Sequence, residues 1–152
     1  MIIIAHRGNT NGHNKARENH PSYIDEAIND GFDVEVDVWV IDDKIMLGHD
    51  GPAHHVDIEF LEKIADKAWF HCKNLKALRS LSETNFRYFW HQSDDFTLTS
   101  TNHIWTYPNK DLTDRSIAVM PKNYESVASL DIYGICTDDC LQLQAFMKKN
   151  RL

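Results

Sequence analysis

Cysteine, glycine and proline are scarce in this chain, and no stretch of it is both long and apolar. It has 3 cysteines in 152 residues, namely Cys72, Cys136 and Cys140. An odd, scattered set makes no disulfide framework and fits a reducing compartment. Cys136 and Cys140 are near enough in sequence to pair, but two half-buried thiols at a strand end are expected instead. With 6 glycines and 4 prolines, there is no flexible linker, low-complexity tract or internal repeat, so one domain is expected. The apolar runs fall far short of the roughly 20 residues that cross a bilayer. The opening Met1-Ile2-Ile3-Ile4-Ala5-His6-Arg7 turns polar too early for a secretory leader. Basic charge is also short. Lys and Arg number 16 against 23 Asp and Glu, a net charge of −7. That argues against a nucleic-acid partner, whose affinity comes mostly from Lys and Arg on phosphates. A cytoplasmic protein is the expectation.

What is present is an ordinary globular composition, 42% hydrophobic and 26% charged, sufficient for a full core. Short apolar runs alternate with amphipathic stretches, the pattern of an α/β protein. The spacing predicts strands at 2–5, 33–40, 45–48, 68–72, 87–90, 104–106, 117–120 and 134–137. Helices are predicted at 21–30, at 75–81, and after Asp57 as N-cap through Ile64. Two more, at 122–130 and 141–149, close the chain. The first of these helices has Pro21 in its first turn, Gly31 at its stop, and Tyr23, Ile24, Ala27 and Ile28 on one face.

Chemistry concentrates in Asp33-Val34-Glu35-Val36-Asp37-Val38. Alternate side chains of a strand point to opposite faces, so the valines pack one way while Glu35 and Asp37 share the other face. Two such carboxylates raise each other's pKa unless a cation lies between them, and hard oxygen ligands suit Mg²⁺ or Ca²⁺. The plainer reading is an antiparallel strand with one wet face. Other strands end in polar residues: His6-Arg7-Gly8, Gly48-His49-Asp50, His71-Cys72-Lys73-Asn74, His91-Gln92 and Thr137-Asp138-Asp139. In parallel α/β folds the ligand site lies beyond the carboxyl ends of the strands. Four histidines at such ends, with Glu35 and Asp37, predict one shared site. Glu18-Asn19, just before Pro21, reads alone as helix-start chemistry.

Together, His6-Arg7-Gly8, Glu18-Asn19, Gly31-Phe32-Asp33-Val34-Glu35-Val36-Asp37-Val38 and Gly48-His49-Asp50 resemble the glycerophosphodiester phosphodiesterases in order and spacing. These belong to the phospholipase-C-like phosphodiesterases on a TIM barrel. Phe70-His71-Cys72-Lys73 falls where the family has a metal-binding carboxylate two residues before a lysine. Tyr133-Gly134-Ile135-Cys136-Thr137-Asp138 resembles its last barrel strand. The resemblance implies a single domain over residues 1–152 that cleaves a small phosphodiester with a divalent metal ion. By this resemblance His6 and His49 are the acid–base pair, and Arg7 and Lys73 hold the phosphate. Glu35 and Asp37 bind the metal, and Glu18 ligates it or sits just behind. Histidine, with an ordinary pKa near ~6.5, suits either proton role, and a cation with an Arg stabilises charge on the phosphoryl oxygens. Hydrolysis and intramolecular attack to a cyclic phosphate would use the same residues.

Two departures from the family stand out. His71 replaces the third carboxylate, so either it ligates and turns the site from Mg²⁺ or Ca²⁺ toward Mn²⁺ or Zn²⁺, or the metal keeps an extra water there. The chain is also short for a TIM barrel, which usually needs ~200 residues or more. The expected fold is therefore α/β, a reduced TIM-like (β/α) barrel with some outer helices missing, the bare part falling between His91 and Pro121. Uncovered strand flanks invite pairing with a second copy of the chain. Trp90, Trp105 and Tyr107 are assigned to packing in that wall, with the substrate mouth as their other place. His13, His20, His54 and His55 are assigned to polar loops. The rival function is a non-catalytic phosphate-ligand or metal-binding remnant of a barrel. It explains the missing carboxylate and the short chain, but a binding protein needs no acid–base pair.

Overall fold

The structure is a computed structural model, and it describes residues 1–151. β1 (Ile2–His6) leads through a polar loop to α1 (Pro21–Asn29) and the long strand β2 (Asp33–Ile41). β3 (Lys44–Leu47) and β4 (His54–Val56) follow, then α2 (Ile58–Ile64), β5 (Ala68–Cys72) and α3 (Leu75–Ser82). The second half is strand-rich: β6 (Tyr88–Phe89), β7 (Phe96–Leu98), β8 (Ile104–Thr106), β9 (Ser116–Val119) and β10 (Gly134–Thr137). α4 (Cys140–Asn150) ends it.

The local chemistry accounts for most of these boundaries. Pro21 opens α1, where its missing N–H costs nothing. The N-cap of α1 is His20, whose side chain accepts from the Ser22 N–H. Gly31, at φ 94°, turns the chain out of the helix in a conformation that glycine adopts without strain. Asn74 caps α3 through the Ala77 N–H and also exchanges bonds with both backbone groups of Val40, tying that helix to β2. Asp42 and Asp43 both have positive φ, 47° and 61°, the geometry of a tight hairpin turn. That turn folds β3 back antiparallel along β2.

The ten strands form one mixed sheet that curls into a half-barrel. Parallel pairs join β6, β5, β2, β1, β10, β9 and β8 in that spatial order. β3 and β4 add antiparallel beyond the outer part of β2, and β7 adds antiparallel to β8. This corrects the expected reduced TIM-like (β/α) barrel. A barrel of that kind repeats strand and helix around a closed parallel ring, whereas here hairpins interrupt the repeat and, among the described residues, four α-helices serve ten strands. The helix expected at 122–130 is only a 3-10 turn at Tyr124–Ser126. Asn123 caps it by accepting from Glu125, and the chain continues in irregular turns that bury Val127 and Ala128.

The sheet separates two kinds of packing. Outside, Val34, Val36, Val38 and Val40 of β2 pack with Ile24, Ala27, Leu61, Ala77 and Leu81 of the helices. Inside the curl, Ile4, Trp69, Phe89, Trp105, Ile117 and Cys136 form a second cluster. The three cysteines are free and buried. Cys136 and Cys140 are fully enclosed rather than half-buried.

Candidate active site

Parallel strands end on the same side, so the polar ends of β1, β2, β5 and β10 arrive together. Register does the rest: His6 lies opposite Glu35 and Asp37 opposite His71. The second face of β2 is not wet, since Glu35 is 2% exposed and Asp37 is 0%. Buried carboxylates of this kind require partners. His6, Arg7, Glu35, His49, His71 and Lys73 line one cavity of about 520 Å³.

Arg7 stands at its centre, with its backbone in the left-handed region at φ 54°. Its N–H donates to Glu35 Oε2 at 3.1 Å. Its guanidinium donates to Glu18 Oε2 at 3.1 Å and to His49 Nε2 at 3.1 Å, and lies 3.5 Å from Asp37 Oδ2. Asp37 takes a 2.8 Å bond from Asn19 Nδ2, while its own N–H donates to Asn19 Oδ1 at 2.9 Å. His49 Nδ1 reaches the same carboxylate at 3.3 Å. Lys73 Nζ lies 3.4 Å from Asp37 Oδ1. Burial works against the Asp37 carboxylate, but hydrogen bonds from His49 and His71 and the charge of Lys73 hold its pKa well below the ordinary value.

His71 Nε2 donates to the carbonyl of His91 at 2.9 Å. Its Nδ1 therefore faces Asp37 Oδ1 at 3.0 Å and Glu35 Oε1 at 3.4 Å. Ligand atoms of Glu35, Asp37 and His71 all lie within 4.8 Å of one another. With His71 neutral, three acceptors would confront each other. The cluster needs a positive charge, either a proton on Nδ1 or a cation. Burial lowers the His71 pKa, yet Asp37 and Glu35 outweigh it and push it up to about 9. Asp37 Oδ1 is buried and lacks a well-aligned hydrogen bond; only the charged or chargeable His71 Nδ1, at 3.0 Å, and Lys73 Nζ, at 3.4 Å, approach it, which suits an oxygen that could take a metal. A metal-bound histidine commonly donates its other ring N–H to a backbone carbonyl, as His71 does. The residues present fit a divalent cation held by Glu35, Asp37 and His71. Glu18 stands behind Arg7, where His13 also reaches it at 3.2 Å.

On the other wall, His6 Nδ1 donates to Asp138 Oδ1 at 2.9 Å. Asn9 Nδ2 donates to the same oxygen at 2.9 Å. Burial disfavours the His6 imidazolium, but the bond to Asp138 and the charge of Glu35 more than compensate, and its pKa is raised.

All eight residues expected at the site, His6, Arg7, Glu18, Glu35, Asp37, His49, His71 and Lys73, thus cluster together. Sequence reasoning gave no role to Asp138, Asn9 or the His91 carbonyl. Asp138 was visible only as a polar strand end, and Asn9 and a backbone carbonyl give no sequence signal. Asn19 serves Asp37 rather than the start of α1. Trp105 answers both assignments, packed inside the curl and lining the cavity, while Trp90 and Tyr107 line it too. His54 and His55 lie in β4 rather than a loop. No helix is long and apolar enough to cross a membrane among the described residues. No protein-family model, curated protein or solved structure matches the chain.

Proposed function

We propose that this chain cleaves a small phosphodiester, glycerophosphodiester-like, with a divalent metal ion and two histidines in the acid and base roles. One observation carries the reading: His6, Arg7 and His49 line the same cavity as Glu35 and His71, two members of the cluster completed by the buried Asp37 behind them. The bound ion would act as a Lewis acid on the phosphoryl group.

The chain's own groups divide the remaining work. Arg7 and Lys73 hold the non-bridging oxygens. When Arg7 Nη2 turns from His49 Nε2 to a phosphate oxygen, that ring nitrogen is freed to take a proton from the attacking hydroxyl. His49 Nδ1–H, on Asp37, keeps the ring oriented for this. His6, kept charged by Asp138, gives its proton to the departing alkoxide. An attacking water gives hydrolysis, and a neighbouring hydroxyl of the substrate gives a cyclic phosphate.

Turnover of bis(p-nitrophenyl) phosphate and glycerophosphocholine with Mg²⁺, Ca²⁺ or Mn²⁺ is the test, with phosphorus NMR reading cyclic against open product. His6→Ala and His49→Ala should each lower kcat about 10²–10⁴-fold, and His6→Ala, which takes the partner from Asp138, should also lower Tm. Activity that survives both substitutions together would remove the two-histidine mechanism. A folded, metal-loaded protein that binds phosphate and turns over nothing would be the binding module instead.

A further inference from the structure

The mouth shares part of its lining with a neighbouring cavity. This second cavity has a volume of about 400 Å³, and Tyr107 and Val119 line both. It lies where β8, β9 and β10 follow one another without an α-helix. These strands are parallel neighbours, and a parallel connection ordinarily brings a helix onto the outer face of the sheet. Here the link after β8 is irregular and the link after β9 has only its 3-10 turn. The outer face is consequently covered thinly. Leu112, Ala118, Val119, Val127 and Leu130 give the second cavity one apolar wall, while Asn109, Lys110, Asp111, Lys122, Asn123 and Ser126 make most of the rest of its lining polar. Two of the large side chains around it stay open to solvent, Leu130 at 46% and Tyr107 at 50%.

The two cavities differ in chemistry. The inner part of the mouth holds the charged and imidazole groups. Its side toward the second cavity is formed by Trp105, Tyr107, Val119 and Met120. Met120 adopts φ 45°, a left-handed conformation that costs roughly 1–3 kcal/mol for a residue of its kind. Its N–H holds the Cys136 carbonyl at 2.8 Å. The backbone of Met120 is thus held between Val119 and Pro121, both of which line the second cavity.

We propose that the two cavities form one site for an amphiphilic phosphodiester. The phosphate lies in the mouth. A single unbranched alkyl or acyl chain on one of its alcohols crosses the rim between Tyr107 and Val119 into the outer cleft. The phosphate end of this proposal rests on the reading given above, and the chain end rests on the lining that the two cavities share and on the apolar wall of the second.

Calorimetry with monomeric butyl-, hexyl- and octylphosphocholine on the Mn²⁺-loaded protein tests it. Affinity should rise with chain length, by up to about fourfold per buried methylene, and inorganic phosphate should compete. Leu112→Asp with Leu130→Asp should flatten the series and leave glycerophosphocholine affinity unchanged. Leu130→Asp alone, at a half-exposed position, should show part of that effect in a protein with unaltered Tm. A flat series in the unsubstituted protein, a slope indifferent to these substitutions, or chain binding that phosphate does not compete with would each overturn the proposal. A preserved slope with no turnover of any member would overturn the catalytic reading and leave the amphiphile site standing.

Discussion

His6 and Asp138 stand 132 positions apart in sequence, and their pairing makes one imidazole an acid. The His6 pKa is raised above 6.5 and that of Asp138 is lowered below 3.8. For His6 the stabilisation is full below the unfolded pKa and is lost as pH rises through the folded one. For Asp138 it is present above the unfolded pKa and is lost as pH falls through the folded one. Both contributions are therefore complete between about pH 4 and 6.5. Asp138→Asn keeps an acceptor for Nδ1–H and removes the charge. Its Tm penalty should be larger at pH 5.5 than at pH 8.5, and the His6 titration followed by proton NMR should move down. An equal penalty at both pH values would mean that Asp138 serves His6 only as a neutral acceptor.

At the scale of elements, β2 is where sequence and structure agree best. Its alternation of valine with acid was legible because strand period is a local property. Burial of the acids was not legible, since it depends on what the loop before α1 brings across. That loop brings Asn19, at φ 61°, whose amide makes two bonds to Asp37. Asn19→Ala should destabilise the fold by about 1–3 kcal/mol, the cost of leaving a buried acceptor unmade. It should also weaken Mn²⁺ binding roughly 10–100-fold, as loss of a group that orients a ligand does. In the same calorimetric series, His71→Ala should weaken Mn²⁺ more than Mg²⁺, because imidazole is the ligand that distinguishes them. Unchanged Mn²⁺ affinity in both variants would place any metal elsewhere. Elements failed where the signal was long-range or weak. The Asp42-Asp43 turn predicted no strand direction until its positive φ values were seen. The 122–130 segment has helical spacing, but its apolar residues are used by the outer core without a helix.

The whole molecule is an open curl that nevertheless has a closed base. At the end of β2 away from the mouth, Asp33 accepts from Trp69 Nε1, Arg87 Nη1 and Lys67 Nζ, each at 3.2 Å. The Arg87 guanidinium lies 4.5 Å over the Trp69 ring, and Tyr133 and His103 pack edge-on against the same ring. This plug joins β2, β5 and the approach to β6, where the sheet would otherwise be held only by a two-residue strand. None of it was legible in the sequence, where Asp33 only opens the alternating segment and its partners lie 34, 36 and 54 positions away. Asp33 does share a face of β2 with Glu35 and Asp37, but at the opposite end, where cations neutralise it. Asp33→Ala would leave Arg87 partly buried and short of its carboxylate, a loss of about 3–5 kcal/mol for a broken buried pair. For a chain of this size that is a fall of roughly 6–20 °C in Tm. Because the plug and the mouth share only the strands between them, kcat/KM measured well below Tm should stay within about twofold of the unsubstituted protein. A large loss of activity at unchanged Tm would mean instead that the base of the curl sets the register of Glu35 and Asp37, and that site and scaffold are one cooperative unit.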